Sequence, residues 1–239
     1  MRILALDTAT ESCSVALLIE GRSIAQEIEL ERGHAERILL MIDAVLAEAG
    51  VKLAGLDAIA FGRGPGSFTG VRLAASVTQG LAFGAGLGVV PVSDLQAVAQ
   101  RALELSSTMS RVLVCNDARM GEVYWACYER GLDGLASAVG EERVGKPASV
   151  VLPSGWSSGQ SSESSIYAVG RGFTAHPELR SIVFGESAGV YEPLLPRALE
   201  IALLATPEVA KGRLAGPEAA LPVYLRDDVA RVAQPKSLN

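Results

Sequence analysis

The sequence predicts an α/β fold: a mixed, largely parallel sheet with helices on its faces. Two observations carry that prediction. Short apolar runs alternate with segments of helical periodicity through the first half of the chain, and a strand–carboxylate–turn–strand opening recurs near its middle. The chain has 239 residues, 49% of them hydrophobic, which is enough for one large core or two smaller ones.

The elements follow in order. Residues 3–6 are apolar and end at Asp7, and residues 8–12 form a polar turn. Residues 14–19 and 23–30 are strand-like, joined by Glu20-Gly21-Arg22, which reads as a hairpin turn. A helix is expected over 34–49, closed by Gly50. Residues 57–61 read as a strand, 62–70 as a glycine-rich loop, 71–83 as a helix, 89–92 as a strand and 94–105 as another helix. The first half is thus βββαβαβα. In the second half, residues 112–115 run into Asn116-Asp117, turn, and resume at 123–128, repeating the opening of the chain. An internal duplication follows, with a boundary near 106–110 and units of 1–108 and 109–239. Beyond it a strand over 166–169, a helix over 196–205 with Pro196 in its first turn, and a short extended tail at 222–226 complete the reading.

Composition narrows the functions. A net charge of −6 with no basic cluster argues against a chain that grips nucleic acid alone, since phosphate binding needs Lys and Arg. Cys13, Cys115 and Cys127 form no CxxC and no metal spacing, which fits a reducing, cytoplasmic setting, and Cys115 and Cys127 read as core. The N-terminus turns polar at Asp7, too soon for a signal peptide. Residues 73–93 carry no charge, but Gly84, Gly86, Gly88 and Pro91 break the run, so it reads as a buried helix and strand rather than a membrane span. Residues 154–165 are Ser/Gly-rich and read as an exposed loop.

Three stretches could carry chemistry. The turn Asp7-Thr8-Ala9-Thr10-Glu11 can offer backbone N–H groups to phosphate and a carboxylate to a metal, or simply satisfy its own backbone. Gly62-Arg-Gly64-Pro-Gly66-Ser-Phe-Thr-Gly70 is a strand-to-helix turn in which Ser67 or Thr69 can cap the helix. Neither the Walker A nor the GxGxxG spacing fits it, and a tight turn packing helix on sheet is the other reading. His34 has no second His one turn away, so it reads as a capping or surface-contact residue, and no metal site is expected. No GxSxG elbow lies between a strand and a helix. The helices of the first half are apolar on more than one side: Ile38-Leu39-Leu40-Met41-Ile42 exceeds a single stripe, and the second helix has no charge after Arg72. That pattern fits either burial within the monomer or packing on a partner.

Several blocks together resemble one bacterial family. They are the opening Ile3 to Thr10, Gly33-His34-Ala35-Glu36, residues 56–60, the Gly62 to Arg72 block, Gly80-Leu-Ala-Phe-Gly84, Asp117 to Tyr124 and Pro222-Val-Tyr-Leu-Arg226. They look like TsaB, also called YeaZ, with the Gly-Pro-Gly-Ser-Phe-Thr-Gly run the most specific; family members often have Ser at position 35, where this chain has Ala. The resemblance implies an actin-like, sugar-kinase-like (ASKHA) fold of two RNase H-like lobes, with the first lobe binding a partner. It implies a non-catalytic subunit that dimerises with the transferase TsaD in making threonylcarbamoyladenosine at position 37 of tRNAs reading ANN codons, joined by the ATPase TsaE. It also implies no cofactor of its own, with ATP, Mg and a metal in partner subunits, tRNA contacted only through the complex, no membrane, and a homodimer when alone. The expected interface is His34, Ile38, Met41, Ile42, Val45, Val77 and Leu81. The rival reading is a nucleotide-dependent kinase or transferase acting alone, using Asp7, Thr8 and Asp117, with Gly64 and Gly66 as further cofactor candidates.

Overall fold

The structure, a computed structural model, describes residues 1–105, 108–156, 166–185 and 191–226. Two five-stranded sheets organise it. In the first, β1 (Arg2–Asp7), β2 (Ser12–Ile19) and β3 (Arg22–Glu29) form an antiparallel meander. β4 (Ala58–Gly62) and β5 (Gly88–Val92) add in parallel on the other side of β1, giving the order β3-β2-β1-β4-β5. The second sheet repeats this plan with β6 (Arg111–Arg119), β7 (Glu122–Arg130), β8 (Ala136–Gly145), β9 (Ile166–Val169) and β10 (Tyr191–Glu192), in the order β10-β9-β6-β7-β8. β6 is antiparallel to β7 and parallel to β9, as β1 is to β2 and β4. The two lobes are therefore copies of one topology, the RNase H-like pair of an actin-like fold.

Helices fill three layers around the sheets. α1 (His34–Ala49) and α2 (Phe68–Ala85) cover the outer face of the first sheet, against Leu4, Leu6, Val15, Leu17, Ile59 and Phe61. α4 (Gly172–Ala175) and α5 (Leu179–Phe184) cover the outer face of the second, against Leu113, Cys115, Trp125 and Cys127. Between the sheets lie α3 (Asp94–Leu105) and α6 (Ala198–Ala210). These two are exchanged: α3, from the first half, packs on β6, β7 and β8, while α6, from the second half, packs on β1, β2, β4 and β5.

Period-two alternation explains why β1 is apolar throughout. Ile3 and Ala5 face the shared inner core, and Leu4 and Leu6 face α1 and α2. The inner face of the first sheet is built from small residues, Ala5, Ala16 and Ala60, and α6 presents Ala198, Ala202 and Ala205 to the same core. Small side chains on both surfaces let helix and sheet approach closely. Ser14, on that face, accepts a hydrogen bond from the Ala198 backbone N–H at 2.9 Å, seating the first turn of α6 on the sheet.

Several expectations need correction. β8, α4, α5 and β10 carry no clear sequence signal: half of β8 is exposed and charges at Glu141, Glu142 and Arg143 interrupt it, and the others are six residues or shorter. α2 is not wholly buried, since Ser76, Gln79, Gly80, Phe83 and Gly84 are exposed. Cys13, Cys115 and Cys127 are all buried free thiols. Among the described residues no helix is long and apolar enough to cross a membrane. The Ser-rich segment lies outside the described residues apart from 154–156.

Replacing Ser14 by Ala removes the acceptor for a buried helix N-terminal N–H. We expect a loss of about 1 kcal/mol of stability, read as a lower urea midpoint with an unchanged m-value.

Candidate functional site

The turn after β1 gathers the first lobe. Asp7 Oδ1 accepts from the Ala9 N–H at 2.9 Å, closing an Asx turn. Thr8 Oγ1 donates to the Gly70 carbonyl at 2.7 Å, and the Ser67 N–H donates to the Ala9 carbonyl at 2.7 Å, so the turn is stitched to the start of α2. A Cβ on Gly66 or Gly70 would overlap the carbonyls of Ala9 and Thr8, which is why glycine stands at both. Ser67 caps α2, its Oγ accepting from the Gly70 N–H at 3.1 Å. α1 begins without a side-chain cap, but the His34 Nε2–H donates to the Thr10 carbonyl at 2.9 Å. Both outer helices of the first lobe thus start on one turn.

Behind that turn lies a pair of buried acids. Asp7 and Asp94, the first residue of α3, are both fully buried. Asp94 Oδ2 accepts from the Gly64 N–H at 2.5 Å, and the Asp94 N–H donates to the Gly64 carbonyl at 3.0 Å. Burial pushes the Asp7 carboxyl up to about 6, opposed by its bonds to Asp94 and to the Ala9 and Thr8 backbone and by the His34 charge. Asp94 is raised well above the ordinary carboxylate range, by burial first and by the Asp7 charge second. A Cβ on Gly62 would fall inside contact distance of Oδ1 of both acids, so this glycine makes room for the pair.

In front of the turn a cavity of about 570 Å³ opens between the lobes. Thr8, Thr10, His34, Gly66, Ser67 and Thr69 line it from the first lobe, and Asn116, Asp117 and Arg119 from the second. The Asn116 carboxamide is buried and makes no hydrogen bond to a described residue. Ion pairs bridge the mouth: Glu11 meets Arg119 at 3.3 Å and Arg171 at 3.7 Å, and Arg171 meets Glu29 at 2.6 Å. Asp117 is held by Arg119 at 3.1 Å and faces His176 at 3.5 Å.

The structure sorts the expected site residues. Thr8, Gly66 and Asp117 line the cavity. Asp7 is corrected: it is fully buried beside Asp94, against Gly62, and is not among the residues lining the cavity. Gly64 is also outside the lining; it takes φ +103° and backs onto the Val223 carbonyl, and the Val223 N–H donates to the Arg63 carbonyl at 2.7 Å. Among the described residues no cluster of three potential metal ligands occurs.

The expected interface is corrected too. Ile38, Met41, Ile42 and Val45 are buried in the monomer's own core, where α1 packs chiefly on β2 and β3. Their spacing, i, i+3, i+4 and i+7, is the stripe that a helix turns toward its sheet. The large apolar side chains of α1 and α2 left exposed are Leu39 (50%), Leu40 (62%), Phe83 (81%) and Phe68 (51%), the last of which lies against Arg72 and Tyr224. Val77 and Leu81 lie on the flank of α2, half-buried, and His34 stands at the start of α1. Gly80 and Gly84 add an open strip along α2, with nothing near the position of a Cβ. Leu39, Leu40 and Phe83 were legible in the sequence as the apolar residues out of phase with the core stripe.

Residues 26–233 match a family model described as TsaD: tRNA N6-adenosine threonylcarbamoyltransferase. An Escherichia coli protein named tRNA threonylcarbamoyladenosine biosynthesis protein TsaB is 43% identical over 234 residues, 96% of each chain. A Haemophilus influenzae protein of the same name is 39% identical over 240 residues, covering 96% of this chain and 95% of its own. The solved YeaZ of Pseudomonas aeruginosa superposes with a TM-score of 0.81 at 42% identity, over 94% of this chain and 99% of that one. A second Pseudomonas aeruginosa structure, described as having similarity to peptidase YEAZ, gives 0.83 at 43% identity over the same shares.

Gly62→Ala tests the packing behind the turn. The added methyl must displace two buried carboxyls, and we expect a loss of about 1–3 kcal/mol, measured as a lower melting temperature by calorimetry.

Proposed function

We propose that this chain, which belongs to the TsaB (YeaZ) family, is a non-catalytic scaffold subunit that pairs with a TsaD transferase in the synthesis of threonylcarbamoyladenosine on tRNA. The modified nucleoside is that at position 37 of tRNAs reading ANN codons. The observation that carries the reading is the outer surface of the first lobe. Two long helices on the outer face of the first sheet turn Leu39, Leu40 and Phe83 to solvent along with the open strip of Gly80 and Gly84. Large exposed apolar side chains on the helices of one face mark a surface that another protein covers. Burying a side chain such as Leu40 or Phe83 contributes about 1.5–3 kcal/mol. Since this chain itself matches a TsaD model, the partner offers helices of related shape. The same relationship allows the face to self-pair when the partner is missing.

The remaining components belong to the partners in this reading. ATP, Mg and a catalytic metal reside in TsaD and in the ATPase TsaE, and the complex works in the cytoplasm. This chain, at a net charge of −6, meets tRNA only through the complex. The rival, a kinase or transferase acting alone, has a cavity lined by Thr8 and Asp117, but one of its two carboxylates, Asp7, is buried outside that lining.

The double variant Leu40→Arg/Phe83→Arg tests the interface. Both positions are exposed, so the melting temperature should stay within a few degrees, while capture of TsaD falls at least tenfold. Capture at wild-type strength by a folded double variant overturns the assignment. Calorimetry of the isolated chain with ATP and Mg²⁺ tests the rival, for which tight binding and turnover lost in Thr8→Val would be the support; we expect no turnover.

A further inference from the structure

Two carboxyls inside one core do not normally coexist as anions. At ordinary values of about 4 both Asp7 and Asp94 would be charged at neutral pH, with no cation in contact to offset them. Their hydrogen bonds show how the pair is made compatible. Asp7 Oδ1 accepts from Ala9 and Asp94 Oδ2 from Gly64. Asp7 Oδ2 and Asp94 Oδ1 remain without a donor among the described residues, although both carboxyls crowd the same side of Gly62, each with Oδ1 inside contact distance of the position of a Cβ there. As two carboxylates they are acceptors only, and the contact is repulsive. A proton on Asp94 Oδ1 turns that atom into a donor and the contact into a charge-assisted hydrogen bond.

We propose that Asp7 and Asp94 hold one proton between them at neutral pH, and that this shared proton clamps the Gly62–Gly66 turn, and with it the start of α2, onto the end of β1. The geometry gives the clamp its reach. Asp7 closes the β1 turn, which anchors His34 of α1 and the Ser67–Gly70 turn of α2. Asp94 opens α3 and grips Gly64 through two hydrogen bonds. The contact between the two acids therefore joins β1, the glycine loop and α3, and Gly62 is the residue whose missing side chain permits it.

Groups from each neighbouring element bear on the pair. His34 faces Asp7 from α1, where a positive imidazole favours the anion. Arg63 acts on Asp94 from the loop, though it is ion-paired at 3.2 Å with Glu142 of β8, which also accepts from the Tyr128 hydroxyl of β7. Burial first, and the Asp7 charge second, push the Cys13 thiol of β2 up to about 11, so it stays neutral. None of these supplies a direct counter-charge to both acids.

The direction with pH follows. Both carboxyls are raised in the folded chain, so between about 4, where the unfolded acids ionise, and their folded values, the native state binds more protons. The stabilisation is fully present below about 4. It is lost as pH rises through about 6 for Asp7 and through the raised value of Asp94.

Carboxyl carbons of ¹³C-aspartate-labelled full-length protein, followed by NMR from pH 4 to 9, test the proposal. We expect one of the pair to ionise near 6, the other to remain protonated at neutral pH, and the Gly64 amide proton to shift with the lower midpoint. Ionisation of both near 4 overturns it. In parallel, Asp94→Asn should flatten the fall in melting temperature that the wild type shows from pH 5 to 8; an equally steep fall in the variant also overturns the proposal. If Asp94→Asn does not fold, the wild-type titration alone decides.

Discussion

The fold depends on the packing of α3 and α6 between the two sheets. Each sheet has an outer helical layer of its own, but its inner face is covered by a helix from the other half of the chain. Ala5, Ala16 and Ala60 on one side and Ala198, Ala202 and Ala205 on the other keep this layer thin. The shared core also holds large side chains, Leu95, Leu103 and Ile201 among them, none of them exposed. Burial of a layer made by both halves is the main apolar stabilisation that either sheet's inner face receives.

On that frame, one turn brings the functional features together. Residues 8–10 follow β1, floor the cavity between the lobes, and receive the first turns of α1 and α2. The cavity and the outer helical face are thus not independent surfaces. A displacement of the turn is transmitted to two helix N-termini through hydrogen bonds of 2.7 to 2.9 Å. The Glu11, Arg119 and Arg171 pairs close the cavity mouth, but as half-exposed contacts they hold the lobes weakly and yield to salt.

Much of this was legible in the sequence because it follows from local chemistry. The hairpin at Glu20-Gly21-Arg22, the stop of α1 at Gly50, the cap at Ser67 and the repeat of the β1–β2 opening at 112–128 are each set by a few neighbouring residues. β8 was not legible: its alternation is broken by Gly140 and charged residues, because it is an edge strand with one face in water. Asp94 reads in sequence only as a helix start, since its partner Asp7 is 87 positions away and no local pattern joins them. The exposed face of α1 was misassigned for a different reason. Five consecutive apolar residues show that more than one side is apolar, but the phase that faces the sheet becomes certain only when Ile38, Met41, Ile42 and Val45 are taken together as one stripe.

The exchange of α3 and α6 bears on how such a chain arose. A half-length ancestor with five strands and a terminal helix would leave the inner face of its sheet bare if that helix reached outward. Two copies trading their last helices would each be complete, as in a swapped homodimer. Joining the two copies end to end turns a concentration-dependent assembly into a single chain. It then frees each half to diverge, one keeping broad outer helices and the other reducing them to α4 and α5.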